Sequence, residues 1–289
     1  MTKILITGAT GTIGSQTVTT LLERGAEVRV AVRNPAKAAE LASAGAEVVR
    51  FDFLAPETFA GALEGVERVM LLTAFTEQFD EDLRPFVAAL TEAEVGFVLR
   101  ISASGASPDA AALLGRRHAA AEDLVKQSGA AWTVLQPTFF MDNFINFAGA
   151  SIRSEGAFYG ASNNQPVSYV STRDIAEVAA TVLLAPEAHA SQTYVLTGPE
   201  ALRDEQVAAQ IGSVLEREVR YVDLTPEQIE AAVASQGAPS WRAEAMGALE
   251  SIKRQGWAQA VSPAVAEVLG RSGESFTDFL ARRGSQLAG

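Results

Sequence analysis

Cysteine is absent from this chain of 289 residues, and histidine occurs only twice. The absence of cysteine excludes disulfides, thiolate nucleophiles and thiolate metal sites. Two histidines and scattered acids make no convincing ligand set, so we expect no bound metal. Apolar runs stay well short of the roughly 20 residues that a membrane helix needs. The first residues show no basic segment followed by an apolar core, so we expect a cytoplasmic protein with no membrane partner.

Basic residues are in the minority. The chain has 23 Lys and Arg against 35 Asp and Glu, and its formal net charge is −12. This balance opposes nucleic-acid binding, which needs a basic surface. A phosphate site must therefore be built locally, from backbone amides and a few arginines. Hydrophobic residues reach 48%, which is enough for a full core in one large domain or in a large domain with a smaller partner.

Three glycines stand between an apolar run and a helix-like segment at the start of the chain. Residues 4–6 are apolar, Gly8, Gly11 and Gly14 follow, and a helical pattern continues from residue 15. In that setting the first glycine makes a tight turn, the second lets the backbone approach phosphates, and the third lets the helix pack on the strand. The helix N-terminus then offers free N–H groups to the anion. The spacing is G-x-x-G-x-x-G, and its context predicts a dinucleotide site rather than an ordinary turn.

Strand-like runs alternate with helical patterns, which is typical of a parallel sheet covered on both faces. The predicted strands are residues 3–7, 27–32, 47–53, 68–73, 96–102, 132–136, 167–170 and 193–196. We expect an α/β fold: a Rossmann-type, doubly wound parallel sheet with a smaller, mostly helical C-terminal substrate lobe. Residues 1–150 would form the dinucleotide-binding Rossmann domain, with 167–198 returning to the sheet. Residues 199–289, with 151–166, would form the lobe.

The end of the second predicted strand distinguishes the two dinucleotides. A carboxylate about 20 positions after the glycine loop would hold the ribose 2′-hydroxyl of NAD. Here Arg33 follows the strand and Lys37 comes one helical turn later. A guanidinium fork suits a 2′-phosphate, which favours NADP(H), although both residues could be solvated surface residues. Asp52, beside Phe53 at the third strand end, could accept from an adenine amino group or cap the helix near Pro56.

Ligands of such sheets bind outside the carboxyl ends of the strands, which here are residues 72–75, 102–105 and 137–140. The cofactor candidates at these ends are Thr73, Ala74, Phe75, Ser102, Ala103, Pro137 and Phe140. An aromatic-rich stretch, 139–147, follows the last of them. Its candidates for a flat, apolar substrate pocket are Phe139, Asn143, Phe144 and Phe147. Such aromatic residues can equally belong to a core.

The Tyr-x-x-x-Lys pair of many Rossmann-type dehydrogenases is missing, because no tyrosine is followed four residues later by lysine. The helix after the fifth strand instead carries His118 and Glu122, one turn apart on one face. A carboxylate beside an imidazole favours its protonated form. His118 is therefore the catalytic candidate, as a donor of a proton or a hydrogen bond. The alternative is an exposed histidine in an ordinary ion pair.

Several short motifs carry a family character: ILITGATG at 4–11 with Gly14, RNPAK at 33–37, RHAAAE at 117–122, WTVLQP at 132–137, FMDN at 140–143 and RDIA at 173–176. The chain resembles the NmrA-like branch of atypical short-chain dehydrogenases, and especially its NADPH-dependent quinone oxidoreductases and triphenylmethane reductases. The resemblance implies that Thr10, Thr12 and Ile13 join the glycines in holding NADPH. It also implies that residues 73–75 and 102–104 flank the nicotinamide. One departure is Gln136, where many members have arginine before the proline.

We therefore expect an NADPH-dependent oxidoreductase that transfers hydride to a planar electrophile such as a quinone, an iminium or a conjugated carbonyl. Such acceptors take hydride without a strong general acid, which would explain the missing Tyr-Lys pair. The alternative is an NmrA-type regulator that binds NADP(H) without turnover. An isomerase or epimerase is disfavoured because no suitable base is visible. The expected partner is a small aromatic or conjugated substrate, and the expected state is a monomer or homodimer.

Overall fold

The computed structural model describes residues 2–288. The strands in this range are β1 Lys3–Thr7, β2 Glu27–Val32, β3 Glu47–Arg50, β4 Arg68–Leu71, β5 Phe97–Ile101, β6 Ala131–Pro137, β7 Ala157–Gly160, β8 Gln192–Leu196 and β9 Arg220–Asp223. The α-helices are α1 Thr12–Glu23, α2 Ala39–Ser43, α3 Phe59–Leu63, α4 Phe79–Glu92, α5 Leu113–Lys126, α6 Asn143–Asn146, α7 Gly149–Glu155, α8 Thr172–Leu184, α9 Asp204–Leu215, α10 Pro226–Ser235, α11 Ser240–Arg254, α12 Ala264–Leu269 and α13 Phe276–Arg283. Within the described range no helix has both the length and the apolar character that crossing a membrane would require.

Seven strands form one sheet, in the order β3-β2-β1-β4-β5-β6-β8. Neighbouring strands from β3 to β6 pair in parallel. The run 3-2-1-4-5-6 is the order of the doubly wound dinucleotide-binding sheet, and it changes direction between β1 and β4. The carboxyl ends of those two strands therefore mark the expected ligand position. The predicted fold class is confirmed.

The chain divides into two compact units. The first contains the residues up to Pro137 together with Thr172–Val195, and the second contains Thr138–Ser171 and the residues from Leu196 onward. We expected the first domain to extend to about residue 150. In the structure the first segment of the first unit ends at Pro137, the last residue of β6. The physical reason is that the stretch after Pro137 buries its apolar side chains in the core of the second unit.

Both faces of the large sheet are covered within the first unit. On one face Leu5 belongs to a core that also contains Phe86 of α4 and Val125 of α5. Because side chains alternate along a strand, the buried Ile4 and Ile6 point to the opposite face. The helices α1 and α8 pack together in this unit. Burial on both sides explains why the central strands are continuous apolar runs.

The second unit has its own core and a small sheet. Strands β7 and β9 pair in parallel, with Ala157 opposite Arg220. The core includes Phe144, and buried polar groups satisfy one another beside it: the Tyr169 hydroxyl donates to Asp204 Oδ1 at 2.6 Å. We predicted no strand at the position of β7, because residues 142–166 contain several Gly, Asn and Ser and show little periodicity.

The predicted strand at 167–170 is wrong. Val167 makes one antiparallel bridge to Leu202, and Val170 makes one parallel bridge to Phe140. The backbone groups of this segment thus pair with two different neighbours, so no ladder forms. Its apolar side chains are buried because they belong to the second core, and not because the segment joins the large sheet. The predicted strand at 193–196 does join that sheet, as β8, and it forms one edge while β3 forms the other.

Candidate cofactor-binding site

The glycine loop joins β1 to α1 with the backbone that its sequence predicts. Gly8 has φ +64°, a left-handed conformation that favours glycine. The Gly11 amide donates to the Gly8 carbonyl at 3.0 Å, which closes the turn. A Cβ added to Gly14 would lie 2.2 Å from the Gly8 oxygen, so only glycine fits there. The third glycine therefore allows the close helix–strand contact that a phosphate-binding turn needs.

The N-terminus of α1 is open to an anion. Gly11 is the N-cap residue, no side chain caps the described helix, and its first turn contains no acidic residue. Thr10, Gly11 and Thr12 are exposed. The first N–H groups of a helix have no partner within the helix, and the helix dipole places partial positive charge beside them. This end of α1 is thus a fitting cradle for a diphosphate.

A cavity of about 310 Å³ lies at the carboxyl ends of the strands in the first unit. The predicted cofactor residues that line it are Gly8, Thr10, Gly11, Arg33, Asp52, Phe53, Thr73 and Ala74. The further lining residues are Ala31, Val32, Phe51, Leu54, Leu72, Thr76, Phe79 and Asp82. Its volume is within the range of small-molecule sites, about 300–1,000 Å³. The two sides of the strand-order reversal therefore contribute to one cavity.

Other predicted cofactor residues of the first unit lie outside this lining. Ile13 is buried in the first turn of α1, and Lys37 is exposed on the 3-10 turn Pro35–Ala38. Phe75 is 42% exposed. Ser102 and Ala103 directly follow the carboxyl end of β5, and Pro137 is the last residue of β6. Of the two basic candidates, only Arg33 is thus a cavity residue.

Asp52 stabilises a turn. Its Oδ1 accepts from the Leu54 amide at 3.1 Å, and the Thr58 hydroxyl donates to its carbonyl at 3.4 Å. The carboxylate lines the cavity while holding this turn. Both roles weighed for Asp52, ligand contact and local capping, are therefore compatible with its position.

His118 lies in a polar cluster behind the cavity. Its Nδ1 is 3.4 Å from Ser102 Oγ, and its ring centroid is 4.8 Å from that of the lining residue Phe79. Burial, and then the positive charge of Arg100, lowers the pKa of His118 from 6.5 to about 3. The imidazole is therefore neutral near neutral pH. The expectation that Glu122 keeps His118 protonated is wrong.

The carboxylate of Glu122 has other partners. Its Oε1 accepts from Ser102 Oγ at 2.6 Å and from Gln136 Nε2 at 2.8 Å, while Oε2 pairs with Lys126 Nζ at 3.1 Å. Lys126 lies four residues after Glu122, just as His118 lies four residues before it. Because the Lys126 ammonium is the cation that pairs with this carboxylate, Lys126 is its counter-ion.

Arg100 is a site residue that the sequence analysis missed. It is in the inner strand β5 and has no exposed surface (0%). Its Nη1 donates to the Leu71 carbonyl at 3.1 Å, and its Nη2 donates to Thr73 Oγ1 at 3.2 Å. The guanidinium carbon lies 5.9 Å from the ring centroid of Phe79. A charged residue within an otherwise apolar central strand was the available signal.

The remaining candidates, four phenylalanines and one asparagine, belong to the second unit: Phe139, Phe140, Asn143, Phe144 and Phe147. Phe144 is a core residue whose ring meets those of Phe158, Tyr169 and Phe276 edge to face. Its predicted place in a substrate pocket is therefore not supported. Phe147 differs in being 76% exposed.

The fold and the cavity define a dinucleotide-binding protein of the Rossmann class, and comparisons with known proteins agree. Residues 8–186 match the model of an NAD(P)H-binding family. The chain is 36% identical over 276 residues to NAD(P)H azoreductase of Xenophilus azovorans, with 96% of each chain covered. It is 32% identical over 288 residues to (4-alkanoyl-5-oxo-2,5-dihydrofuran-3-yl)methyl phosphate reductase of Streptomyces griseus, with 99% of each covered.

A solved structure extends the agreement to three dimensions. The NADPH-dependent quinone oxidoreductase of Escherichia coli, complexed with NADPH, matches with a TM-score of 0.86 and 26% identity. The match covers 96% of this chain and 99% of that one. The chain belongs to the NAD(P)H-binding family of oxidoreductases, and the predicted family resemblance is confirmed.

Proposed function

We propose that this protein is an NADPH-dependent oxidoreductase that transfers hydride to a planar small-molecule electrophile. The observation that carries the proposal is one cavity that combines the glycine cradle with Arg33. The names of the relatives described above indicate that they reduce an azo compound, an unsaturated lactone phosphate and a quinone. These acceptors share conjugation, which supports a planar electrophile as the substrate class.

The residues of the first unit would hold the two ends of the cofactor. The N-terminus of α1 would bind the diphosphate, and Arg33 would pair with the 2′-phosphate through its planar fork. Asp52 and Phe53 would lie along the adenosine half, since they line the cavity just after β3, the strand that pairs with β2 ahead of Arg33. NADPH supplies a hydride when it is bound.

Preference for NADPH is tested at Arg33. An Arg33→Ser variant removes a charge-assisted contact worth about 1.5–3 kcal/mol, so KM for NADPH should rise about 10- to 100-fold. KM for NADH should stay within about twofold, because NADH has no 2′-phosphate. Lys37→Ala is the matched control, since Lys37 lies outside the cavity lining. An equal loss with both nucleotides in the Arg33 variant would contradict the assignment.

His118 contributes as a neutral group. With a pKa of about 3 the ring is not an imidazolium near neutral pH and cannot act as a general acid, and it packs against the cavity wall at Phe79. This suits acceptors whose reduction needs no strong acid. We expect a pH profile of turnover without an ionisation near 6.5, and only a several-fold loss in His118→Ala. A steep loss of activity above pH 6.5 that His118→Ala abolishes would contradict a neutral role.

The deciding experiment follows the absorbance of the reduced nicotinamide, with NADPH and NADH in parallel. The acceptors are an azo dye, a quinone, a triphenylmethane dye, an iminium salt and an unsaturated lactone. Turnover with NADPH and at least one of these establishes the function. Tight NADPH binding with no turnover on any of them would instead favour the NmrA-type regulator. Gel filtration of the same sample tests the expected monomer or homodimer.

A further inference from the structure

The burial of Arg100 is energetically unfavourable, and its hydrogen bonds within the protein compensate for it only in part. It has no exposed surface, and its Nε has no hydrogen-bond partner among the described residues. A buried donor without a partner is destabilising, and an apolar residue of similar size would usually suit such a position better. The pKa of Arg100 is lowered by burial to about 10, so the guanidinium stays charged at neutral pH. Such exceptions to good packing concentrate at functional sites.

The contact between Arg100 and Thr73 has a fixed direction. A guanidinium carries only donors, so the Thr73 oxygen must be the acceptor of the 3.2 Å hydrogen bond from Nη2. A hydroxyl has one proton, and the contact with Arg100 does not use it. Thr73 lines the cavity next to Leu72, whose side chain lies against Gly8 of the phosphate loop. The proton of Thr73 is therefore available to a ligand beside that loop.

Arg100 also supports the wall that adjoins Thr73. Its guanidinium lies over the ring of Phe79, which lines the same cavity from the first turn of α4. Its other hydrogen bond fixes the Leu71 carbonyl at the end of β4. Two lining residues, Thr73 and Phe79, and the strand end that precedes them thus contact one buried side chain.

We infer that Arg100 is a positioning residue for the nicotinamide cofactor: by occupying the acceptor side of the Thr73 hydroxyl, it commits Thr73 to donate a hydrogen bond to an acceptor oxygen of the bound dinucleotide. The inference rests on the proposed function only in taking NADPH as the ligand. Arg100 itself touches no ligand in this arrangement, so its effect must pass through Thr73.

The test is a double-mutant cycle on NADPH binding, measured by calorimetry without any acceptor. Thr73→Val and Arg100→Met should each raise the Kd for NADPH about tenfold, which is the usual effect of one lost hydrogen bond. The double variant should bind no more weakly than either single variant, because both remove the same contact. Thr73→Ser keeps the hydroxyl and should bind like wild type, and Arg100→Lys should recover part of the loss.

Two further measurements make the cycle specific. Reduced nicotinamide mononucleotide and adenosine 2′,5′-bisphosphate serve as half-ligand probes, and the half whose Kd rises in Thr73→Val carries the acceptor oxygen. NMR titration of His118 should show a higher pKa in Arg100→Met, where the neighbouring charge is gone, and an unchanged pKa in Thr73→Val. A general loss of structure would not separate the two variants in this way.

The inference is overturned if folded Arg100→Met binds NADPH like wild type, or if the two losses add in the double variant. If Arg100→Met does not fold, the comparison of Thr73→Val with Thr73→Ser decides: equal affinities overturn it. Wild-type protein that fails to bind NADPH would instead refute the proposed function. Wild-type protein that binds and oxidises NADPH, with variants that bind equally well, refutes this inference alone.

Discussion

The neutral state of His118 makes a quantitative prediction about stability and pH. The folded chain holds the pKa of this imidazole at about 3, whereas the unfolded chain has the ordinary value of 6.5. Between these two values the unfolded state binds the additional proton, so stability must rise with pH in that window. From about pH 7.5 to about pH 5 the contribution of His118 to the free energy of unfolding should fall by about 2 kcal/mol. Lower pH continues the loss until the folded form is protonated.

The assay is urea unfolding at a series of pH values, for wild type and for His118→Gln. The variant cannot bind the proton, so its stability should fall about 2 kcal/mol less than that of wild type over the same interval. His189→Gln is the matched control. Burial lowers the pKa of His189 as well, but this residue lies at the surface beside Tyr194, so the change should be smaller.

The sign of the result decides between the two accounts of His118. If Glu122 held the imidazole protonated, the folded pKa would lie above 6.5, and the interaction would stabilise the protein at low pH and be lost as pH rises. His118→Gln would then make the loss of stability on acidification steeper. A steeper loss, or no change at all, would refute the reasoning from burial and from the charge of Arg100.

Two further substitutions test how each unit is built. Gly14→Ala places a methyl group against the Gly8 carbonyl; we expect a loss of about 1–3 kcal/mol in urea unfolding and weaker NADPH binding, and wild-type stability would contradict the packing described. Tyr169→Phe removes a buried hydrogen bond to Asp204 and should lower the free energy of unfolding by about 1–3 kcal/mol. Its matched control is Tyr159→Phe, because that hydroxyl bonds Glu155 at the surface, and its change should stay within about 0.5 kcal/mol.

The glycine loop could be predicted because its determinants are local. A turn with positive φ at Gly8 and a contact that admits no Cβ at Gly14 restrict those positions to glycine, whatever the rest of the chain does. The parallel sheet follows from the alternation of short apolar runs and helices. Arg33 could be predicted for the same reason, because it directly follows the carboxyl end of β2. Local chemistry thus predicted the phosphate side of the candidate site.

The charge state of His118 could not be predicted because its cause is not local. Burial of the ring is the main cause of the lowered pKa, and the charge of Arg100 adds to it. Both arise only when the sheet has formed, because Arg100 lies on β5 and His118 on α5. Spacing along α5 gives Glu122 two partners, one turn before it and one turn after it, and burial decides between them. The position of Phe144 could not be predicted for the same reason. An aromatic residue that follows a strand can line a pocket or belong to a core, and the packing of the second unit places Phe144 in the core.

Gln136 can now be explained by the charges around it. Arg100 pairs in register with Val134, so Ser102 and Gln136, each two residues further along, face the same side of the sheet as Arg100. Gln136 donates to the Glu122 carboxylate, which Lys126 already neutralises. An arginine before Pro137 would add another cation beside Arg100 without adding a carboxylate. The neutral amide of Gln136 donates to Glu122 without adding a second positive charge near Arg100. Arg100 therefore remains the buried cation near Gln136 on this face of the sheet, and it is the residue that donates to Thr73.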